Sequence, residues 1–178
     1  MLPVLLAVAF IAVLFIIVFA GQPDEFKVTR STKVNGRPEI IFPHVNDFHK
    51  WEAWSPWAKM DPACKNSFAG PSAGAGAIFS WAGNRKVGEG RMTILESQAT
   101  EYIRLKLEFI KPFPATNTAE FSFQSKAGQT VLTWTMSGRN NLMGKAFGLF
   151  VNCEKMVGGD FEKGLAAIKS VAESSNRA

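Results

Sequence analysis

Residues 102–110 read YIRLKLEFI, and this stretch alternates strictly between apolar and polar side chains. Ile103, Leu105, Leu107 and Phe109 fall on one side, and the polar and charged residues between them fall on the other. A period of two is typical of a β-strand, and alternation this strict predicts an antiparallel sheet with one covered and one solvated face.

The same alternation recurs on both sides of this stretch. We predict further strands at residues 26–34, 77–81, 87–96, 118–124 and 130–136. Turns rich in Gly and Asn separate them. Between the first two strands we expect two short helices or turns, the first of them broken near Pro43.

The C-terminal part of the chain changes to a helical period. Apolar side chains recur at steps of three and four from Met143 to Ala172, which predicts one long amphipathic helix with a kink at Gly158-Gly159. The element order defines an α+β domain at residues 26–174. The simplest packing wraps a curved antiparallel sheet around the terminal helix.

Residues 1–20 contain no charged residue and no Ser, Thr, Asn or Gln. Twenty helical residues span about 30 Å, the thickness of the hydrocarbon core of a bilayer. We therefore predict a single-pass transmembrane helix at residues 1–20, followed by a linker at 21–25. The alternative is a signal peptide cleaved after Val18-Phe19-Ala20, but the apolar run is longer than a typical h-region and no Lys or Arg precedes it.

Charge and cysteine content narrow the function classes. The net charge is +5 and the charged residues are scattered, which argues against a nucleic-acid partner. Two cysteines, Cys64 and Cys153, are too few for a disulfide-rich scaffold, and they are either free thiols or one disulfide.

Basic residues after the apolar segment and near one predicted turn have two interpretations. They either face anionic lipid head groups or are simply solvated. They are Lys27, Arg30, Lys33, Arg85, Lys86 and Arg91. The basic excess hints at a cytoplasmic domain under the positive-inside rule, but the side of the membrane and the oligomeric state stay open.

Three stretches carry a resemblance to a known family. They are residues 42–62 (FPHVNDFHKWEAWSPWAKMDP), residues 74–84 (GAGAIFSWAGN) and residues 87–92 (VGEGRM). With the element order, they resemble the helix-grip fold of the START/Bet v 1-like superfamily, also called SRPBCC or polyketide cyclase/dehydrase and lipid transport-like, over about residues 26–173. The W-x-x-W-S-P-W block at residues 51–57 is similar to an uncharacterised bacterial subfamily with an N-terminal membrane helix.

This resemblance implies a deep hydrophobic cavity under the sheet, closed by the long helix. It also implies a single-pass protein of a bacterial inner membrane. It supplies a fold and a class of ligand, but no reaction.

Aromatic and methionine side chains are the strongest functional signal. Wide and flexible apolar side chains on the predicted inner faces suit an adaptable cavity, although they also suit an ordinary core. The candidate ligand-binding residues are Trp54, Trp57, Phe79, Trp81, Met92, Phe109, Phe121, Trp134, Met136, Phe147 and Phe150. Trp51, Trp54 and Trp57 are spaced by three, so they either cap the core or lie at a membrane interface.

We expect no catalytic residue, no metal site and no cofactor. The predicted inner faces carry no acid or base, because the glutamates of the strands fall on the solvated side. His44, Asp47 and His49 form a loose cluster that does not align on one helical face, which is a weak basis for a metal site.

The sequence therefore favours a membrane-tethered, non-catalytic domain that binds a hydrophobic small molecule or a lipid in an internal cavity. The alternative is an enzyme, a cyclase, dehydratase or hydrolase for an aromatic or polyketide-like substrate, which would need polar groups inside the cavity. Residues that the pattern leaves open for that role are Ser80, Tyr102, Asn117, Arg139, Asn140, Asn141 and Asp160. A structural protein with a filled cavity is the third interpretation.

Overall fold

The computed structural model describes residues 21–140 and 153–175 of the chain, together with positions 1, 6, 10, 13 and 145. Its elements are β1 (Glu25–Asn35), α1 (Pro38–Asn46), a 3₁₀ helix (Phe48–Ala53), β2 (Lys65–Ala69), β3 (Ile78–Ala82), β4 (Glu89–Gln98), β5 (Tyr102–Lys111), β6 (Ala115–Lys126), β7 (Gln129–Arg139) and α2 (Cys153–Ser175). The strands form one antiparallel sheet in the order β1-β7-β6-β5-β4-β3-β2. The predicted α+β, helix-grip-like architecture is confirmed for this part of the chain.

The membrane segment predicted at residues 1–20 lies outside the described residues, apart from positions 1, 6, 10 and 13. No helix in the described part of the chain is long and apolar enough to cross a bilayer. The first ten residues of the predicted C-terminal helix, 143–152, also fall outside it apart from Lys145.

Strand β2 was missed by the sequence analysis. All five of its residues are exposed, and KNSFA shows no apolar period, because this short edge strand contributes only Phe68 to the packing, against Phe79 and His49. Cys64, directly before β2, is a free cysteine, so the disulfide that the sequence left open is not formed.

The predicted break near Pro43 is wrong, because α1 continues through this residue to Asn46. Proline costs one backbone hydrogen bond, but Ile41, Phe42 and Val45 are buried around it, and this packing outweighs the loss. The break comes instead at Asp47, whose carboxylate accepts a hydrogen bond from a backbone N–H at the start of the 3₁₀ helix.

Two tryptophans close the end of α1. The indole N–H groups of Trp51 and Trp54 donate to the carbonyl oxygens of Val45 and His44, each at 2.9 Å. These carbonyls belong to the last turn of a helix, where no backbone partner is available. Both rings are buried, so these two tryptophans cap the core and do not lie at a membrane interface.

The inner face of the sheet is covered over its middle rows by α2, which packs on β1 and β7, and by α1 and the 3₁₀ helix, which pack on β6. The buried inner side chains there are Val28, Ile94, Ile103, Leu105, Ala119, Phe121, Phe123, Leu132, Trp134 and Met136. The ring of Phe161 on α2 lies parallel to that of Trp134, with centroids 4.0 Å apart and an interplanar angle of 7°. Helix and sheet are therefore in full contact at this point.

Two glycines of α2 provide a matched test of this contact. A Cβ at Gly164 would lie 2.9 Å from Cζ3 of Trp134 and 3.2 Å from Cδ of Pro56, whereas a Cβ at Gly159 would meet nothing within 4 Å. Alanine favours a helix over glycine by about 1 kcal/mol. We expect Gly159→Ala to raise the free energy of unfolding by up to about 1 kcal/mol, and Gly164→Ala to lower it by about 1 kcal/mol because overpacking outweighs the propensity gain. Urea denaturation of the two variants measures both, and a gain for Gly164→Ala would contradict the close packing.

Candidate functional site

The side chains and loops that form the candidate site lie at one end of the sheet. We call it the Glu25 end, because β1 begins there. The antiparallel register brings the starts of β2, β4 and β6 and the ends of β3, β5 and β7 to the same end. The β3–β4 loop (residues 83–88) and the β5–β6 loop (residues 112–114) therefore lie there as well.

The inner face is half open at the Glu25 end. The side chains there are only partly buried, and together we call them the apolar patch: Phe26, Phe79, Trp81, Met92, Leu107 and Phe109. The register makes most of them neighbours, since Phe79 pairs with Met92 across β3 and β4, and Met92 pairs with Leu107 across β4 and β5. The patch is thus an apolar surface on β3, β4 and β5 beside the closed core, and Asn117 and Gly138 separate this surface from Phe26 on β1.

Glycine at position 90 determines the shape of the patch. A Cβ there would overlap the ring of Trp81, so the absence of a side chain lets the indole lie flat on the sheet. The indole N–H donates to the carbonyl oxygen of Val87 at 3.2 Å. Phe79 stacks on Trp81 at 6.0 Å with an angle of 22°, and Phe109 meets it edge-on at 6.1 Å. These contacts fix the aromatic part of the patch without a ligand.

Asn117 supplies a polar group beside the patch. It lies on the inner face of β6, paired with Leu107, and is 8% exposed. A Cβ at Gly138 would overlap its amide oxygen, so glycine provides the space that this amide occupies. An Asn amide both donates and accepts hydrogen bonds, and it is therefore suited to orient a polar group on an otherwise apolar ligand.

The predicted aromatic set divides between core, patch and undescribed chain. Trp54, Phe121, Trp134 and Met136 are buried in the core. Trp57, Phe79, Trp81, Met92 and Phe109 are half-buried. Phe147 and Phe150 lie outside the described residues. The predicted ligand-binding set omitted Phe26 and Leu107, although Leu107 shares the alternating face of Phe109, and Asn117 was predicted only as a polar candidate for an enzymatic role.

The core members of the set leave little room between the layers. Trp134 lies between Phe121 and Phe161, with ring centroids at 4.9 and 4.0 Å, and Trp54 and Trp57 meet it edge-on. Its indole N–H is buried and has no hydrogen-bond partner among the described residues. The space below α2 at this point is filled by side chains.

Two concavities lie away from the predicted set. One of about 600 Å³ runs along the Glu25 end, mainly on the outer face, and its lining includes Lys27, Lys106, Ser137 and Arg139. The other, of about 410 Å³, lies beside the 3₁₀ helix and is lined by His49, Lys50, Glu52, Ala53 and Lys59. Both are open to solvent, so neither resembles the enclosed cavity that the resemblance implies.

Most polar candidates for an enzymatic role lie away from the patch. The register places Ser80, Tyr102 and Arg139 on the outer face of the sheet. Asp160 forms an ion pair with Lys163 on α2, at 3.0 Å. Asn140 donates from its side chain to the carbonyl oxygen of Pro23. Asn141 lies outside the described residues. Asn117 alone of the described candidates lies on the inner face beside the patch.

Two members of the predicted histidine cluster, Asp47 and His49, are in contact in the structure. His49 Nδ1 lies 2.9 Å from a carboxylate oxygen of Asp47, and the imidazole stacks on Phe68. Burial, and secondarily the charge of Lys50, lowers the pKa of His44. In the part of the chain that is described, no three potential ligands lie close enough to hold a metal ion.

Comparison with known proteins identifies a family and solved structures that share the architecture described above. The model of the family described as polyketide cyclase/dehydrase and lipid transport matches residues 25–173, and the chain belongs to that family. No curated protein matches it in sequence.

Solved structures with the same fold are distant in sequence. A Staphylococcus aureus protein of unknown function has a TM-score of 0.64 at 10% identity, covering 86% of this chain and 97% of its own. The Aha1 dimer of Colwellia psychrerythraea gives 0.59 at 12% identity, with 83% and 96% covered. Mll3558 of Rhizobium loti gives 0.56 at 18% identity, with 80% and 96% covered. At these identities the likeness establishes the fold alone.

Tyr102 offers a test of the outer-face electrostatics. Its hydroxyl donates a hydrogen bond to Glu120, and burial, followed by this hydrogen bond, raises the pKa of Tyr102 to about 12. The raised pKa favours the neutral hydroxyl in the folded state, so its contribution to stability is complete below pH 10 and is lost as the pH rises towards 12. Because the chain has one tyrosine, absorbance at about 295 nm reports it alone.

We expect the midpoint of this titration near 12, and a lower midpoint in Glu120→Gln, which lacks the charged acceptor. The chain unfolded in urea is the reference, with a midpoint of about 10. A folded protein that titrates like the unfolded chain would show that the hydrogen bond does not persist in solution.

Proposed function

We propose that this chain is a membrane-tethered domain that binds a hydrophobic small molecule or a lipid at the Glu25 end of its inner face. The observation that carries the proposal is the apolar patch, a set of half-buried side chains beside an otherwise closed core. Monomeric proteins seldom leave such surfaces uncovered without a binding role. The family description, which includes lipid transport, agrees with this class of ligand.

The energetics favour an extended or polycyclic ligand. Covering about 300 Å² of apolar surface contributes about 7 kcal/mol at 25 cal/mol per Å², whereas association costs at least about 4 kcal/mol. A ligand much smaller than an acyl chain or a fused-ring system would therefore bind too weakly to be retained. Asn117, next to Leu107, would select ligands that carry one polar group at the end nearest the core.

Support for a membrane tether comes from the sequence and from three described positions. Leu6, Phe10 and Val13 are helical, are spaced by four and three, and are each more than half exposed. Large apolar side chains exposed on one helix face need an apolar environment. Together with the uncharged run of residues 1–20, these exposed side chains support a helix that lies in a bilayer. A membrane helix also agrees with the bacterial inner-membrane subfamily that the W-x-x-W-S-P-W block suggests.

Binding is better supported than catalysis by the placement of polar groups. General acid–base chemistry needs a titratable group at the bound substrate. Of the inner side chains described beside the patch, Asn117 is polar but does not titrate, and the Tyr102–Glu120 pair lies on the opposite face. A cyclase or dehydratase would therefore need its acid or base from elsewhere in the chain.

Two variants of β4 test the site. Met92 lies in the patch, whereas Leu95 is 51% exposed and lies outside it on the same strand. Met92→Gln keeps the side-chain length but places an unpaired amide against the ligand, which costs about 1–3 kcal/mol. We expect it to weaken binding of cis-parinaric acid, a fluorescent fatty acid, by about 5- to 100-fold, and Leu95→Gln to leave it unchanged.

The measurement uses fluorescence titration of the protein beginning at residue 22, with native mass spectrometry to detect lipid retained from the cells. Equal effects of the two substitutions on the affinity for the fatty acid would show that the ligand does not bind at the patch. Failure of the unsubstituted protein to bind any lipid by either method would overturn the proposed function.

A further inference from the structure

We propose that the Glu25 end docks on the surface of an anionic lipid bilayer, with the β5–β6 loop among the lipid head groups and the β3–β4 loop in contact with their charges. The inference deepens the proposed function and rests on it for the role of the apolar patch. Four observations lead to it, and each concerns a different part of this end.

The first observation is the distribution of exposed apolar side chains. Phe113 is the tip of the β5–β6 loop and is 54% exposed, and Ile110 at the end of β5 is similarly exposed. Met60 is also exposed and lies in the loop before β2. This loop is bonded to the β3–β4 loop, because the carboxylate of Asp61 accepts a hydrogen bond from the N–H of Asn84 at 2.7 Å. The described loops at the opposite end, residues 36–37, 70–77, 99–101 and 127–128, expose no large apolar side chain.

The second observation is the charge of the adjacent loop. Arg85 and Lys86 are exposed at the tip of the β3–β4 loop, and neither forms an ion pair with another described residue. The loop has a defined shape, because the side-chain oxygen of Asn84 accepts hydrogen bonds from the N–H groups of Lys86 and Val87 at 2.8 and 3.3 Å. Exposed cations on a fixed loop beside apolar tips are what an anionic head-group region attracts.

The third observation is that the two loops are neighbours. The register pairs Glu89, at the start of β4, with Lys111, at the end of β5. Their side chains form an ion pair at 2.7 Å. The apolar tip at Phe113 and the basic tip at Arg85 and Lys86 therefore flank one strand boundary, and both can reach the same flat surface.

The fourth observation is the point at which the apolar N-terminal segment joins the domain. Residue 21 lies four positions before β1, at the Glu25 end. The chain is held there, because Asp24 forms an ion pair with Lys145 and its carbonyl oxygen accepts a hydrogen bond from the N–H of Asn140 at 2.8 Å. A tether at this end turns both loops towards the bilayer, and the apolar patch opens at the same end.

The test uses the full chain in lipid nanodiscs made of equal parts phosphatidylglycerol and phosphatidylcholine. The photoreactive amino acid p-benzoylphenylalanine replaces Phe113 in one protein and Leu95 in a control, because the two side chains are 54% and 51% exposed. After irradiation, mass spectrometry measures the fraction of protein linked to lipid. We expect at least about fivefold more at position 113, and strong dependence on the anionic lipid.

Charge reversal tests the electrostatic part. Arg85→Glu with Lys86→Glu should lower lipid linkage at position 113 several-fold, whereas Arg37→Glu with Lys126→Glu, the same charge change at the opposite end, should not. Far-UV circular dichroism checks that each variant is folded. No effect of the first pair, or equal effects of both pairs, would overturn the proposal.

A detergent sample with the same lipids separates docking from ligand binding. Equal linkage at position 113 in detergent and in nanodiscs would mean that the loop touches a carried lipid, which overturns the docking proposal and leaves the proposed function standing. Linkage in nanodiscs by a protein that retains no lipid in native mass spectrometry would support docking and count against the binding function.

Discussion

The stack of Phe121, Trp134 and Phe161 is the contact on which the remainder of the structure depends. It joins two strands of the sheet to α2 at ring distances of 4.9 and 4.0 Å, and Gly164 is required for the helix to approach this closely. The described part of this helix packs on β1 and β7, whereas α1 and the 3₁₀ helix pack on β6.

A second contact sets the position of the beginning of α2. Arg30 lies on the inner face of β1, and its guanidinium donates to Glu154 and Glu162 at 2.8 and 2.7 Å. Both hydrogen bonds raise the pKa of Arg30, Glu154 first. Gly158 lies directly above the guanidinium, where a Cβ would overlap it. The positive charge of Arg30 on the otherwise apolar face of β1 is therefore balanced by two carboxylates of α2.

Much of the fold could be predicted from the sequence, because the alternation of apolar and polar residues follows directly from the geometry of a strand. It placed Arg30 with Val28 on one face and Glu120 on the other, as observed. It could not find β2, because none of the side chains of this strand is buried. For the site, the pattern gave the face of Trp81 and Trp134 but not their exposure, since exposure depends on elements that are distant in sequence, as Phe161 is from Trp134. The close contacts of Gly90 with Trp81 and of Gly138 with Asn117 could not be predicted either, because each joins residues on different strands.

The short connection between the N-terminal segment and β1 limits where this domain can act. Residues 21–25 span at most about 18 Å even when fully extended, and two of them are bonded to Asn140 after β7 or to Lys145. If residues 1–20 lie in a bilayer, the domain cannot swing away to reach an opposing membrane. Any bound ligand would then be exchanged with the adjacent leaflet of the same bilayer, or with an acceptor that diffuses to the domain. The protein would therefore transfer ligands locally and would not carry them from one membrane to another.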